Sequence, residues 1–319
     1  MKKACMIVPT GVGASIGGFA GDASKIARQF AEKLQLIINP NVVNAACFSG
    51  ITPNMLYVEG FSLNEFFLSK ITLKPSKNNK IGVIFDKKIP QNVLNIHLNT
   101  INAVKTVYDV DIKEIVITKK EVGVNFGLQK SGISSGGIDN PETLIDAAKT
   151  LLNKGCNAIA VVCLFKEPED DNYENGIGVD IVGGVEAIIS HLISKEFLVP
   201  VAHAPAFEDY SISPKIVDAR ASAEYITPTF LPCILLGLQN APQIHKKNTP
   251  DCIIAEELSG IILPYNSLGC IPALEAKRLA VPIFAVKENT TILDITAKNL
   301  GIEVVEVESY KEALSIIAP

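Results

Sequence analysis

Short apolar runs alternate along the chain with stretches in which apolar residues recur every three or four positions. Cys5–Val8 reads as a strand, and Ala23–Leu34 follows with Ile26, Ala27, Phe30 and Leu34 on one helical face. Leu36–Ile38, Ile81–Phe85, Glu114–Thr118 and Ala158–Phe165 are strand-like, with helical patterns over Pro90–Val107 and Pro141–Leu152 between them. Ile181–Lys195 is amphipathic and leads to a strand over Val199–Ala202. Gly260–Leu263 and Ile283–Val286 read as strands flanking the helix Ala273–Leu279, and Glu303–Val307 and Tyr310–Ile317 close the pattern. Strands that are apolar at every position are buried on both faces. When helices separate them, they build a parallel sheet. The pattern therefore predicts an α/β fold, mainly parallel, with helices on both faces. No period of about 20–50 residues recurs, which excludes a solenoid. Composition shifts at the glycine-serine segment Ser131–Asn140, so two lobes are expected, 1–135 and 136–319, with one continuous large sheet as the alternative reading.

A length of 319 residues allows one large domain or two ordinary ones. With 48% hydrophobic and 20% charged residues the chain has material for a deep core and is not disordered. It carries 29 basic and 34 acidic side chains, a net charge of −5, without the basic face that a nucleic-acid binder needs. The dense charged stretch Lys166–Glu174, with Asp170 and Asp171, is mostly acidic and reads as a solvated loop. The longest uncharged stretches, 39–58 and 226–244, are broken by prolines and amides, so no membrane span is expected. Ala4–Val8 is too short for a signal peptide, and a cytoplasmic location is expected. Seven cysteines, odd in number and without C-x-x-C spacing, read mainly as small hydrophobes in a reducing compartment.

Three segments rich in small residues read as strand-to-helix loops whose amides would hold a phosphate or carboxylate. The first, Pro9–Asp22, has five glycines in the eleven residues from Gly11 to Gly21 and offers Thr10, Gly11, Gly13, Ser15, Gly17, Gly18 and Asp22. The second, Ser131–Gly137, offers Ser135 and Gly136. The third, Asn266–Cys270, offers Ser267, Gly269 and Cys270. The first loop is not a Walker A motif, because no Gly-Lys-Ser/Thr follows. It is a poor dinucleotide fingerprint as well, with Ile16 at the third glycine and Asn39, not an acid, ending the next strand.

Ligands of open parallel sheets bind beyond the carboxyl ends of the strands, so polar groups there are the candidates for chemistry. His203 follows an apolar strand and titrates near neutrality. Glu59 follows Leu56-Tyr57-Val58 and precedes Gly60, and Asn39, Asn41, Asn44 and Asn54 crowd its approach. Asp180 reads equally as a helix cap or an acid. Cys233, and Cys270 at a helix start where the dipole would lower its pKa, are the candidate reactive thiols, with Cys47 in a glycine-rich loop. His191 reads as a core or surface residue of a helix, and His97 and His245 as exposed. No metal-ligating spacing is present, and Ser15 has no evident base.

Several ordered strings resemble one family. They are Val8-Pro9-Thr10-Gly11 through Gly21-Asp22, Asn39-Pro40-Asn41-Val42, Tyr57-Val58-Glu59-Gly60, and Gly178-Val179-Asp180 with Glu186-Ala187 and Ser190-His191-Leu192. Ala202-His203-Ala204-Pro205-Ala206, Thr229-Phe230-Leu231-Pro232-Cys233 and Val286-Lys287-Glu288-Asn289-Thr290 complete the set. The set is similar to the DUF3326 family of bacterial, cyanobacterial and plant proteins over nearly the whole chain. The resemblance brings no activity with it. It implies that Asp22, Glu59, Asp180, His191, His203 and Asn289 are better candidates than polar residues outside the strings.

The expectation is a metal-independent enzyme without a cofactor, an isomerase or lyase acting on a small anionic metabolite, with Glu59 and His203 moving protons. One alternative is a nucleotide- or phosphate-using transferase or ligase, with magnesium on Asp22 or Asp180. Another is a non-catalytic metabolite sensor. A small molecule is the expected partner, with neither nucleic acid nor membrane, and a homo-oligomer is compatible with the pattern.

Overall fold

A computed structural model of the protein describes residues 1–167 and 172–319. The acidic pair Asp170–Asp171 lies outside the described residues. Six strands form one parallel sheet: β1 (Lys3–Met6), β2 (Gln35–Ile38) and β5 (Met55–Tyr57) from the start of the chain, and β14 (Ile261–Pro264), β15 (Ile283–Val286) and β16 (Val305–Val307) from its end. The order is β16-β15-β14-β1-β2-β5. A second parallel sheet, ordered β12-β11-β7-β8, comes from the middle: β7 (Ile81–Phe85), β8 (Ile112–Ile117), β11 (Ala158–Leu164) and β12 (Val201–Ala206). Three short antiparallel ribbons pair β3 (Asn44–Ala45) with β4 (Phe48–Ser49), β6 (Thr72–Lys74) with β13 (Gln243–His245), and β9 (Val124–Leu128) with β10 (Ser134–Ile138). The fold is α/β, as the apolar pattern predicts; β7 and β11 are buried at every position.

The strand pairing does not follow a division at 135/136. It crosses that boundary in both sheets, joining β1 to β14 and β7 to β11. The chain leaves the first sheet after β5, builds the second, and returns at β14. A composition shift at Ser131–Asn140 marks a surface hairpin instead. There Ser135 and Gly136 belong to β10, so this segment is not a strand-to-helix loop.

Ten helices are present among the described residues: α1 (Ser24–Ala31), α2 (Gly60–Phe67), α3 (Gln91–Tyr108), α4 (Pro141–Asn153), α5 (Gly183–Phe197), α6 (Ser222–Tyr225), α7 (Leu231–Gln239), α8 (Ile271–Arg278), α9 (Ala297–Leu300) and α10 (Tyr310–Ile317). Helix α7 escapes sequence reading because it is apolar nearly all round and has no one-sided period; its turns are buried from Leu231 to Leu238. Helix α3 buries His97 completely, against the expectation of exposure. Its Nδ1 lies 2.9 Å from the Val93 carbonyl and its ring is edge-on to Phe85. All seven cysteines are free thiols, and five are buried. No helix among the described residues is long and apolar enough to cross a membrane.

A candidate active-site cleft

A cavity of about 830 Å³ opens where the carboxyl ends of strands from both sheets meet. Ile7, Pro9 and Thr10 border it after β1, Asn39 and Asn41 after β2, and Glu59 and Gly60 after β5. From the second sheet come Glu167 after β11, then His203, Pro205 and Phe207 in and after β12. Helix α5 runs along the cavity with Glu186, Ser190 and His191. Two parallel sheets thus contribute the strand ends that in an open α/β fold receive ligands.

Glu59 is first of all a helix cap. Its Oε2 accepts from Phe61 N (2.8 Å) and its Oε1 from Ser62 N (2.7 Å) at the start of α2, and the Ser62 hydroxyl donates a further, very short bond to Oε1. Its Oε2 also lies 3.5 Å from His191 Nε2, across from α5. Gly60 makes that approach possible, because a Cβ there would fall 2.7 Å from the same nitrogen. The carboxylate is therefore a cap with His191 beside it, which limits it as a mobile base.

His203 sits inside β12 rather than past its end, and its Nδ1 is 3.0 Å from Ser190 Oγ. The Ser190 hydroxyl donates to the Ala187 carbonyl at 3.1 Å. With its one proton so placed, the hydroxyl accepts from Nδ1–H, and Nε2 keeps the lone pair. Burial, with His191 nearby, pushes the imidazole down to about 3, so the ring is neutral. It is a base held in one tautomer.

Four further carboxyl groups, of which Asp180, Glu186 and Glu224 border the cleft, interact electrostatically with one another. Glu186 is only 8% exposed and has no hydrogen-bond partner among the described residues. Burial, reinforced by Asp180 and Glu224, raises its pKa well above the usual range. Glu224, on α6, accepts at Oε1 from Tyr173 Oη (2.8 Å) and Ala20 N (3.1 Å), and burial with Asp180 raises it to about 7. Asp180 caps α5, accepting from Val182 N and Gly183 N at 3.1 Å. Burial likewise raises Asp22 to about 6, although Gly17 N donates to it at 2.6 Å. Like charges gathered away from water resist ionisation, so Glu186 and Glu224 hold their protons to higher pH than ordinary carboxyls do.

The glycine loop is built differently from an anion clamp. Ser15 N donates to the Thr290 carbonyl, Ile16 N to Asn289 Oδ1, Gly17 N to Asp22 and Ala20 N to Glu224. The asparagines are struts. Asn39 bridges Val8 N and O, Asn41 Nδ2 donates to Val8, Pro9 and Gly17 carbonyls, Asn44 accepts from Tyr57 Oη, and fully buried Asn289 ties Ile16 to Tyr310 Oη. Gly17 is required by its φ of +85° and by Val8, which a Cβ would meet at 2.7 Å. Among the described residues seven acidic side chains (Glu59, Glu167, Glu174, Asp180, Glu186, Asp209 and Glu224) border the cleft, and the one lysine there, Lys215, already pairs with Glu174 at 3.3 Å. Charge and amide geometry thus both run against the expected anionic metabolite.

The two thiols are corrected as well. Burial pushes Cys233 up to about 12, and its Sγ donates to the Phe230 carbonyl. Cys270 caps α8, yet burial raises it, outweighing the helix dipole. Neither is a ready nucleophile. Among the described residues no three His, Cys, Asp or Glu side chains converge to hold a metal ion.

Of the residues selected by sequence, Thr10, Gly18, Asn41, Asn44, Glu59, Asp180, His203, Cys233 and Cys270 border the cleft. Gly11, Gly13, Ser15, Gly17, Asp22, Ser135, Gly136, Ser267, Gly269 and Asn289 do not. Ser267 is buried beneath the Pro264 carbonyl, and Gly269 packs on Ile295. Sequence reading passed over Glu186, Ser190, Tyr173 and Glu224. The spacing Glu186–Ser190, one helical turn, was the available signal for two of them.

Residues 3–319 match a family described as "Protein of unknown function (DUF3326)". An uncharacterised lipoprotein of Synechococcus sp. is 38% identical, over 98% of this chain and 89% of its own length. No solved structure matches the chain. The relative's name overturns the expectation of a cytoplasmic location, which rested on the absence of a leader-like run near Ala4–Val8.

Proposed function

The chain belongs to the DUF3326 family, and from that premise we propose that its cleft is the active site of a proton-transferring enzyme, an isomerase or lyase acting on a small polar metabolite. One observation carries the reading. A neutral imidazole with its basic Nε2 set by Ser190, and a buried carboxylic acid at Glu186, are attached through adjacent turns of α5 to one cavity. Groups whose environments push their protonation in opposite senses are the pattern of a base and an acid sharing a site. His203 Nε2 takes a proton from the substrate. Glu186 delivers one, either back to the substrate (isomerisation) or to a departing group (elimination). A positioned acid or base contributes about 10²–10⁴ in rate. His191, 3.5 Å from Glu59, borders the same cavity and adds to the burial that keeps His203 neutral. The nucleotide alternative is less well supported, since a polyphosphate would enter among acidic side chains and find the amides of Ser15, Ile16, Gly17 and Ala20 already bonded.

The test starts from whatever small molecule is released when purified protein is denatured, identified by mass spectrometry. Incubated with the native enzyme in deuterated water, that molecule should gain deuterium at one carbon or lose a group. His203→Gln and Glu186→Gln should each slow the change by at least about a hundredfold. Full exchange in both folded variants would refute the reading.

A further inference from the structure

The acidic cleft also defines what it would hold. We propose that its ligand carries a protonated amine, and that the ammonium is received by the Glu186 carboxyl with Glu224 beside it. This deepens the proton-transfer reading by naming a substrate class, and rests on it only for the location of the site.

Geometry carries the argument. Glu186 is more than nine-tenths buried, borders the cavity, and has no hydrogen-bond partner among the described residues. Buried carboxyl groups are ordinarily hydrogen-bonded, so an unpartnered one at a cavity wall awaits a donor from the ligand. The groups facing it are Asp180 and Glu224, the Tyr57 phenol, and the Cys163 and Cys233 thiols. None is a cation. Glu224 faces Asp180, Asp22 and Tyr173, and its Oε1 already accepts from Tyr173 Oη and Ala20 N, while Oε2 accepts no bond among the described residues. Two acceptors therefore point to a missing positive donor. A metal ion is the weaker fit, because no three ligating side chains converge there among the described residues. An ammonium asks only for acceptors at hydrogen-bond distance and suits a pair. On binding, Glu224 gives up its proton to the buffer and becomes the carboxylate paired with the ammonium, while Glu186 keeps the proton it delivers and accepts from the ammonium at its carbonyl oxygen, so a proton is released as the complex forms.

The experiment is calorimetric titration of the full chain with diaminobutane, butanediol, succinate and magnesium, each alone. Saturable binding is expected for diaminobutane and for none of the others. Titrations in buffers of different ionisation heat should register proton release, and affinity should fall as pH is lowered through the Glu224 value of about 7. Glu224→Gln keeps shape and removes charge, Glu186→Leu removes the acceptor, and each should weaken diaminobutane by about tenfold or more. Should Glu186→Leu fail to fold, Glu224→Gln and the proton release of the unaltered protein decide. Binding of succinate or magnesium without diaminobutane, no binding at all, or binding indifferent to both substitutions would overturn the proposal. Its failure is separable from that of the enzymatic reading. A neutral co-purifying molecule that exchanges deuterium defeats the amine and leaves the chemistry, whereas carboxyl-dependent diamine binding without any exchange does the reverse.

Discussion

Replacing Glu224 by Gln should stabilise the protein at alkaline pH and leave it unchanged in acid. The carboxyl is raised from its ordinary 4.5 to about 7, chiefly by burial and then by Asp180. A folded-state pKa above the unfolded one means that the folded chain holds the proton more tightly. Below pH 4.5 both states are protonated and the group is neutral toward folding. Between 4.5 and about 7 the unfolded state ionises first, and stability is lost as pH rises. The full displacement corresponds to about 3 kcal/mol, and water reaching the half-buried carboxyl from the cleft lowers this to about 2 kcal/mol. Glutamine still accepts from Tyr173 Oη and Ala20 N, so the local hydrogen bonds persist. For a chain of this length about 2 kcal/mol is worth about 3 °C in Tm. Paired thermal and denaturant melts of both proteins across the acid-to-alkaline range measure the difference directly. Asp22, raised to about 6, and His203, lowered to about 3, add slopes of opposite sign, but both proteins carry them and the difference cancels them. An advantage of equal size at both ends of the range, or a loss at the alkaline end, would refute the account of burial among like charges.

Asn289→Ala should cost about 2–4 kcal/mol, because Ile16 N, Ile16 O and Tyr310 Oη lose a fully buried partner; a denaturant midpoint shifted by less than a third of that would deny the strut. Gly17→Val should destabilise by at least about 1–3 kcal/mol from its positive φ alone, with the Val8 clash added, so that melts and not ligand affinity report its effect. Gly60→Ala should push the His191 ring off Glu59, and His191 ring NMR shifts at one fixed pH identical to those of the unaltered protein would contradict the 2.7 Å clearance. Cys233 should resist alkylation by iodoacetamide in the folded state and react only after denaturation; modification of native protein, located by peptide mapping, would show the thiol to be accessible.

Periodicity accounts for the part of the fold that is legible in the sequence. β7, β11 and β15 are apolar at every position and emerge within a residue of where the pattern places them. Helix α4 begins at Pro141 for the reason that proline at a first turn suggests. Which sheet each strand joins was not legible, because a parallel strand carries no label for its neighbours. The pairing of β1 with β14 spans more than two hundred residues and depends on packing, not on any local signal. The hairpin of β9 and β10 was misread for a related reason. Ser135 and Gly136 have turn composition, but the cross-strand hydrogen bonds to Gly127 and Phe126 overrule propensity.

The site divides along the same line. Residues at strand ends, such as Glu59, were found because topology puts strand ends on one side of a sheet, and that argument needs only the strand pattern. The glycine loop was assigned the wrong task because glycine content reports backbone freedom, not which partner the amides meet. Asn289 lies 273 residues away from Ile16 and fills that role in the fold alone. Glu186 and Glu224 escaped notice for the converse reason. A glutamate on a helix is by default a solvated charge, and the one-turn spacing of Glu186 and Ser190 says that they share a helix face, not that folding turns that face into a cavity wall. Their meaning comes from where α5 and α6 are set against the ends of two sheets. The charge they place there decides the electrostatic character of the cleft, more than the glycines that first drew attention to it.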